Sequence, residues 1–373
     1  MFGKGIPIGK AFGISLRLHF SWFIIFILVT WGLAAGYFPG VFPQWDLGTS
    51  IFAGVISSLL FFGSVLAHEL MHSIVAQRQG IPVRSITLFV FGGVSEISEE
   101  PKRPQDEFFM ALAGPLTSLV LGILFLAIWY FWQGAPELIN AISFWLGWIN
   151  VILAAFNLVP GFPLDGGRVL RSLIWWRNND LEKATRIASR SGQMIGYLII
   201  AGGVFLIFSG NWLNGLWLAL IGWFLTNAAS GSYRQMALER LLKGHRAREI
   251  MNQECNQISP STSVQSLVND SILAQGKRCF PVAEGDTMLG MVTLHNVSSI
   301  PRELWQSKSV RDIMTPLDRL RSVTPETELM TVLKIILQEN INQVPVMKDN
   351  NIVGMISREN LLRYIDTRNE LGI

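Results

Sequence analysis

Residues 51–76 read IFAGVISSLLFFGSVLAHELMHSIVA, and this stretch indicates both the fold and the chemistry. It is long and apolar enough to cross a bilayer as a helix, which needs about 20 such residues. Near its end stands His68-Glu69-Leu70-Met71-His72, an HExxH motif. On a helix, this spacing puts both imidazoles on one face, where they can bind one Zn²⁺ with Glu69 beside it. The stretch therefore predicts a metal site within a membrane-spanning helix.

The composition of the whole chain is that of a membrane protein with a soluble part. Of the 373 residues, 50% are hydrophobic and only 15% are charged. Positions 1–245 contain 16 basic and 12 acidic side chains, whereas the much shorter remainder contains 14 and 15. The net charge of +3 is spread over loops and gives no reason to expect nucleic acid as a partner. Cys255 and Cys279 lie in the soluble part without a cysteine framework, which indicates a reducing compartment and excludes a disulfide-stapled fold.

Six stretches are predicted to span the membrane, and basic residues orient them. The predicted spans are residues 18–38, 51–76, 107–132, 141–164, 193–209 and 211–230. We interpret the first as a retained span, because it is too long for a typical signal peptide and lacks a small-residue cleavage pattern. All 16 of the basic side chains before position 246 fall in every second segment outside the spans, and these segments lie on one side of the membrane. This placement predicts that both termini are cytoplasmic.

A third metal ligand is expected from another span at the same depth. Residues 157–168 read NLVPGFPLDGGR, and the charge pattern puts Asp165 at the same cytoplasmic end as His72. Pro160 and Pro163 break the helix there, and irregular backbone at membrane depth is tolerated mainly where protein buries it or it lines a wet cavity. Asp165 alone would suggest an ordinary helix end, but beside HExxH it is a candidate ligand. By residue type His19 is another candidate, although a lone interfacial histidine is the better interpretation.

Residues 81–98, IPVRSITLFVFGGVSEIS, are too short and too rich in β-branched residues for a span. They predict a strand, a Gly-Gly turn and a second strand. Ser64, Ser73 and Thr117 could line a water channel to the zinc, but as small residues in helices they are better explained by helix packing.

The soluble part contains an internal repeat, in which three short motifs return in the same order and at nearly the same offset. REIM at 248–251 returns as RDIM at 311–314, FPV at 280–282 as VPV at 344–346, and GMV at 290–292 as GMI at 354–356. This pattern resembles a pair of CBS domains, modules that commonly sense adenine nucleotides and often dimerise. The resemblance implies ATP, ADP or AMP as a ligand and a homodimer through the CBS domains. We expect a membrane domain at 1–230, a linker at 231–245 and tandem CBS domains at about 246–306 and 307–373.

The CBS resemblance also suggests nucleotide-contacting residues. Family members usually have a Gly-x-x-Thr/Ser-x-x-Asp run whose aspartate holds the ribose. Here Thr293 and Ser357 match the hydroxyl positions, but Asn296 and Asn360 replace the aspartate. Asparagine can still bond a hydroxyl group but lacks the stronger charge-assisted acceptance of a carboxylate. Nucleotide binding and a purely structural, dimerising role therefore both stay open.

The membrane half resembles the site-two proteases, which are intramembrane zinc metalloproteases, in the branch that has a CBS pair. HELMH matches the family's first motif and NLVPGFPLDGG its second, and GISLRLHFSW and AGPLTS extend the resemblance. The resemblance implies that His68, His72 and Asp165 bind one zinc ion per chain. It further implies that Glu69 is the catalytic base and that Asn157 contacts the substrate or its oxyanion.

The same resemblance implies a fold and a setting. We expect a polytopic α-helical membrane domain of about six transmembrane helices with a short membrane-associated β-hairpin, followed by a soluble α/β CBS pair. In the family the hairpin dips into the membrane beside the active site, where an extended substrate could pair with its edge; a surface hairpin without substrate contact is the alternative. The partners would be the lipid bilayer and a transmembrane protein substrate, and the location the plasma membrane of a prokaryote.

Other functions remain as alternatives. The main one is a transporter or channel with a cytosolic CBS regulator, in which the histidine pair would serve a proton or ion path. Another class of membrane zinc protease would take a glutamate from a later helix as third ligand, but the predicted spans 3 to 6 contain no glutamate within their cores. A catalytically inactive scaffold is disfavoured because all four motif residues are present.

Overall fold

A computed structural model describes residues 5–371, with the exception of 91, 98–99, 254–256, 275, 277–278, 286 and 350. At 232 and 369 it describes the backbone alone. Cys255 therefore lies outside the described residues. The chain divides into two compact units, Met1–Arg234 and Gln235–Ile373.

Helices dominate the first unit. They are α1 Phe20–Gly32, α2 Phe38–Val41, α3 Leu47–Arg78, α4 Pro104–Phe131, α5 Glu137–Asn157, α6 Asp165–Asn178, α7 Leu181–Phe208 and α8 Trp212–Leu242. In the described part of the chain, five helical stretches are long and apolar enough to cross a membrane: Phe20–Val41, α3, α4, α5 and α7. The prediction of an integral membrane protein with a helical membrane domain is confirmed.

The sixth predicted span, residues 211–230, lies in α8 but is less apolar than the other five. Asn214 and Asn227, together with three tryptophans, lower its mean hydropathy. It is therefore not among the helices that are apolar enough to cross a membrane by this measure. Its membrane crossing stays a prediction.

Among the first five predicted spans, the largest differences from the helix bounds are at the end of the fourth and the start of the fifth. The fourth predicted span, 141–164, is too long, because α5 ends at Asn157 and a separate helix begins at Asp165. The intervening turn contains Pro160 and Pro163, and proline interrupts helical hydrogen bonding. The helix of the fifth span begins before the predicted residues 193–209, because α7 starts at Leu181. Its first turns carry charged residues, so the apolar pattern of the sequence does not include them.

The two strands of the hairpin predicted at 81–98 are confirmed and belong to a larger sheet. The predicted Gly-Gly turn is wrong, because Gly92 and Gly93 are the first two residues of the second strand and pair with the first. Strands β1 Ile6–Ala11, β2 Ile14–Leu18, β3 Val83–Phe89 and β4 Gly92–Ile97 lie in the order β1-β2-β3-β4. Strands β1 and β2 are antiparallel, β2 and β3 parallel, and β3 and β4 antiparallel. The sheet buries Ile14 and Ile86 against Ala76 of α3 and Met110 of α4. It therefore packs against the helix of the HExxH motif.

The second unit is an α/β pair that begins with the last two turns of α8. Its helices are α9 Val264–Ser266, α10 Leu294–Ser298, α11 Val310–Ile313, α12 Leu329–Gln338 and α13 Arg358–Leu371. Its strands are β5 Cys279–Glu284, β6 Thr287–Thr293, β7 Thr315–Pro316, β8 Gln343–Lys348 and β9 Asn351–Ser357. Strands β8 and β9 form an antiparallel hairpin equivalent to that of β5 and β6, as the sequence repeat predicts.

The two repeats exchange their first segments. One core combines apolar residues between Val264 and Val297 with Val310 and Ile313, which lie just before and within the RDIM segment of the second repeat. The other combines second-repeat residues with Ala247, Ile250 and the end of α8, where Leu242 is fully buried. Each core is therefore completed by sequence from the neighbouring repeat, and the stretch predicted as a linker, 231–245, is helical as far as Leu242.

Candidate metal centre

Three side chains converge in the first unit. His68 and His72 of α3 are 4% and 5% exposed, and their Nε2 atoms lie 3.2 Å apart. Oδ2 of Asp165 lies 3.1 Å from each of these nitrogens. One helical turn separates the two imidazoles, which stack along one face, and the first residue of α6 supplies the carboxylate. Two nitrogens and one carboxylate oxygen thus point at one another, which is a suitable donor set for zinc.

The outer nitrogens of both histidines are occupied by α4. Nδ1 of His72 donates to the carbonyl oxygen of Met110 at 2.6 Å, and Nδ1 of His68 lies 2.9 Å from Oγ of Ser118. A carbonyl can only accept, so the proton of a neutral His72 is on Nδ1 and the lone pair of Nε2 faces inward. The hydroxyl oxygen of Ser118 can likewise accept from Nδ1 of His68. In that tautomer both Nε2 lone pairs face the carboxylate of Asp165, an arrangement that needs a cation between them. The residues present therefore fit a bound metal ion.

Gly114 of α4 allows the close approach of this helix. A Cβ atom at position 114 would lie 2.2 Å from Nε2 of His72 and 2.5 Å from Nε2 of His68. Real Cβ atoms do not approach other atoms so closely, so any larger residue would displace the histidines. Glycine here makes room for the donor set.

The turn between α5 and α6 is packed tightly enough to fix Asp165. The amide of Phe162 donates to the carbonyl of Ala188 in α7 at 3.1 Å. A Cβ at Gly166 would lie 2.2 Å from the carbonyl oxygen of Leu158, and one at Gly167 would lie 2.3 Å from the carbonyl carbon of Gly161. The two glycines after Asp165 therefore let the turn fold back on itself.

Glu69 faces the edge strand β4. Oγ of Ser95 donates a hydrogen bond of 3.1 Å to Oε2 of Glu69, and Oγ of Ser73 lies 3.2 Å from the same hydroxyl group. A Cβ at Gly93 would lie 2.3 Å from Cγ of Glu69. The hairpin thus contacts the motif glutamate directly.

The other candidate residues lie outside the donor set. Asn157 is the last residue of α5 and donates to the carbonyl of Leu153 at 3.0 Å. His19 caps α1 through Ser21. Ser64 and Thr117 donate to backbone carbonyls one turn earlier in their own helices, at 3.0 Å and 2.8 Å, which fits the packing interpretation.

The sequence interpretation missed several residues around the centre. These are Met110, Gly114 and Ser118 of α4, Gly93 and Ser95 of β4, and a buried ion pair between Glu107 and Arg171. The spacing of small residues at 111, 114 and 118 could have indicated close helix packing.

The second unit contains a cavity between its two repeats. Its volume is 760 Å³, and the residues around it include Thr293, Asn296, Arg319, Arg321 and Gln343. Thr293 and Asn296 form a capping box at the start of α10, and Ser357 and Asn360 make equivalent bonds at the start of α13. The structure therefore brings the first predicted nucleotide-contacting pair to this cavity, whereas Ser357 and Asn360 are not part of its lining.

Comparison with known proteins agrees with this geometry. The model of peptidase family M50 matches residues 56–143 and 135–202, and the CBS domain model matches residues 310–367. The first of the two M50 segments includes both histidines, and the second includes Asp165.

Curated relatives match along nearly the full length. "Putative zinc metalloprotease Rip3" of Mycobacterium tuberculosis is 32% identical over 97% of this chain and 93% of its own length. "Putative zinc metalloprotease sll0528" of Synechocystis is 34% identical over 98% and 96%. "Zinc metalloprotease MJ0392" of Methanocaldococcus jannaschii is 30% identical over 96% and 95%. The chain therefore belongs to peptidase family M50, the site-two protease family of intramembrane zinc metalloproteases, and carries a CBS pair after its membrane domain.

Proposed function

We propose that His68, His72 and Asp165 hold one zinc ion and that Glu69 is the base for hydrolysis of peptide bonds in or near transmembrane segments. The single observation that carries this proposal is the convergence of both Nε2 atoms on Oδ2 of Asp165. A transporter has no comparable reason to join a histidine pair and an aspartate from a broken helix in one donor set.

Zinc, when bound, acts as a Lewis acid and lowers the pKa of water towards neutrality. Glu69 accepts the proton of the attacking water and later passes it to the departing amine. The hydrogen bond from Ser95 leaves the other carboxylate oxygen, Oε1, for this proton. Hydrolysis then needs no covalent acyl-enzyme.

The substrate is a membrane protein that enters beside the hairpin. Strand β4 pairs only with β3 among the described strands, so its other edge can add an extended peptide. Asn157, at the end of the helix that leads to Asp165, is proposed to contact the substrate or its oxyanion. The hairpin is proposed to lie at membrane depth, next to Glu69.

The CBS pair is proposed to bind an adenine nucleotide and to regulate cleavage, with ATP, ADP and AMP as the ligands to test. A cavity of 760 Å³ is large enough for such a molecule. Arg319 on its wall suits a phosphate group, whereas Arg321 is paired with Glu339 of the same wall at 3.0 Å. For regulation the nucleotide must bind active and inactive states with different affinities. A homodimer through the CBS domains belongs to the same proposal.

The proposed location is the plasma membrane of a prokaryote, with both termini in the cytoplasm. Single cysteines at Gln133 and Asn178, in a background without Cys255 and Cys279, test the orientation. Both native positions are exposed. We expect an impermeant thiol reagent to label position 133 from outside and position 178 only after lysis. Labelling of both from the same side contradicts the topology.

The function is tested with Glu69→Gln and His68→Ala in detergent-purified full-length protein. We expect Glu69→Gln to bind one zinc ion but to lose cleavage of a transmembrane peptide, and His68→Ala to lose both. Removal of zinc with a chelator should abolish wild-type cleavage, and added zinc should restore it. Wild-type cleavage by Glu69→Gln contradicts the mechanism, and a zinc-independent ion flux after reconstitution into liposomes would favour the transporter.

A further inference from the structure

Glu107 and Arg171 form a buried ion pair that the proposed chemistry does not use. Glu107 lies in the first turn of α4 and is fully buried, and Arg171 of α6 is 6% exposed. Nε of Arg171 donates a hydrogen bond of 2.7 Å to Oε1 of Glu107, and Nη2 contacts the same oxygen. Two donors of one guanidinium group therefore hold one carboxylate oxygen.

Stability alone is a poor reason for such a pair. Removing two charges from water costs about as much free energy as their attraction returns, so an apolar pair of similar size is often equally stable. A planar guanidinium group that donates from two nitrogens does, however, fix the orientation of the elements that it joins. The pair is therefore better explained by a role in fixing the orientation of α4 relative to α6.

The two helices joined by this pair meet the metal centre from two directions: α4 orients the histidines of α3, and α6 supplies Asp165. Met110, Gly114 and Ser118 follow Glu107 at intervals of about one helical turn, which keeps them near one face of α4, where they meet the two histidines. Asp165 begins α6, less than two turns before Arg171. The ion pair thus ties the helix that orients the histidines to the helix that presents the carboxylate.

The same cluster holds the chain on both sides of Asp165. The guanidinium carbon of Arg171 lies 5.2 Å from the centre of the Phe162 ring, in the turn before Asp165. Nε of Arg168, in the first turn of α6, lies 3.8 Å from Oε1 of Glu107. A shift of α6 relative to α4 would therefore break several contacts at once.

We propose that Glu107 and Arg171 are positioning residues, which fix α6 so that Oδ2 of Asp165 stays within reach of both histidines. This inference rests on the proposed zinc role of Asp165. The pair lies outside the donor set of His68, His72 and Asp165, so its proposed role in metal affinity is indirect.

The test uses full-length protein in detergent and three variants. Glu107→Leu with Arg171→Met removes both charges and keeps much of the volume. Arg171→Lys keeps the charge but loses the rigid two-nitrogen geometry. Glu182→Gln in α7 is the matched control, because it breaks an exposed ion pair with Arg186 in the same domain. Zinc affinity is measured by competition with a chromophoric chelator, beside thermal unfolding and the kcat and KM of a transmembrane peptide.

We expect the apolar double variant to unfold near the wild-type temperature but to bind zinc roughly 10-fold to 100-fold more weakly, as is typical when groups that support metal ligands are removed. At limiting zinc its kcat should fall with KM unchanged, and added zinc should restore kcat. Arg171→Lys should lose affinity in the same direction, and Glu182→Gln should match the wild type.

A stable double variant with wild-type zinc affinity overturns the inference. If the double variant does not fold, wild-type zinc affinity in a folded Arg171→Lys protein counts against it in the same way. A further variant, Asp165→Ala, shows whether the positioning role alone is wrong or the proposed zinc site is wrong as well. If Asp165→Ala keeps zinc, the proposed function is wrong, whereas loss of zinc there with no loss in the double variant contradicts only the positioning role.

Discussion

Ser95 holds Glu69 from a different part of the chain, with its hydroxyl group 3.1 Å from Oε2 of the carboxylate. Glu69 belongs to the HExxH helix, whereas Ser95 belongs to β4, the edge strand of the sheet. The orientation of the proposed base therefore depends on the pairing of β4 with β3. A glutamate that lacked this contact could turn away from the zinc ligands without any change in the motif itself.

We expect Ser95→Ala to lower kcat about tenfold and to leave zinc binding unchanged. A hydrogen bond to a charged group contributes about 1.5 kcal/mol or more, and about 1.4 kcal/mol corresponds to a factor of ten in rate. Peptide cleavage and zinc content of the same preparation measure the two effects. Ser85→Ala is the control, because it removes a bond of 2.9 Å to Glu96 in the same hairpin. Equal rates for both variants would show that Ser95 does not orient the base.

Two glycines should separate metal binding from catalysis. Gly114→Ala puts a methyl group against both zinc-binding nitrogens and should lose zinc. Gly93→Ala puts one against Cγ of Glu69 and should keep zinc but cleave far more slowly. Gly63→Ala, on the same helix as the motif, is the control, since no atom of the described residues lies within 4 Å of its Cβ position. Zinc content and kcat are measured together, and normal zinc content in Gly114→Ala contradicts the proposed donor set.

Ser118 should affect the affinity for zinc but not the kcat of protein that is saturated with zinc. Its hydroxyl group lies 2.9 Å from Nδ1 of His68 and orients that ring. Loss of such a partner typically weakens metal binding by roughly 10-fold to 100-fold. We expect Ser118→Ala to show this loss in chelator competition, with wild-type kcat when zinc is in excess. Thr117→Ala, which removes a bond to the carbonyl of Ala113 one turn earlier in the helix, is the matched control. A variant with unchanged affinity would exclude Ser118 from the metal centre.

The parts that the sequence predicted are those with a local signature. The one-turn spacing of the histidines and the prolines before Asp165 predicted their local structure, and the apolar stretches predicted that the helices exist but not where each one begins and ends. The CBS strands could be predicted because the motifs return at a nearly constant offset, so that each repeat supports the interpretation of the other.

The parts that the sequence did not predict depend on pairing between distant segments. Strand β2 is short, and its partner β3 follows only after α1, α2 and α3. The residues of β2 alone therefore do not predict which strand it pairs with. Glu107 is the first residue of the predicted span 107–132, and only the fold brings Arg171 to it. The same is true of Ser95, whose register on β3 decides that it meets Glu69.

Asn296 and Asn360 occupy equivalent places in the two repeats but differ in their surroundings. Each accepts a hydrogen bond from the backbone amide of the preceding hydroxyl residue, at 2.9 Å from Thr293 and 3.1 Å from Ser357. Only Asn296 lines the 760 Å³ cavity. The pair therefore allows one substitution to be compared at a site of proposed ligand binding and at a site of helix capping alone.

We expect Asn296→Asp to bind an adenine nucleotide about tenfold more tightly than the wild type, and Asn360→Asp to be unchanged. An aspartate at either position can keep the capping bonds, so both variants should fold. At position 296 the carboxylate would accept a charge-assisted bond from a ribose hydroxyl, which is roughly twice as strong as a neutral one. Calorimetry with ATP, ADP and AMP on the full-length protein in detergent measures the affinities. Tighter binding in Asn360→Asp alone would place the ligand away from the cavity, and no heat with any nucleotide at millimolar concentration in any of the proteins would leave the CBS pair a structural, dimerising module.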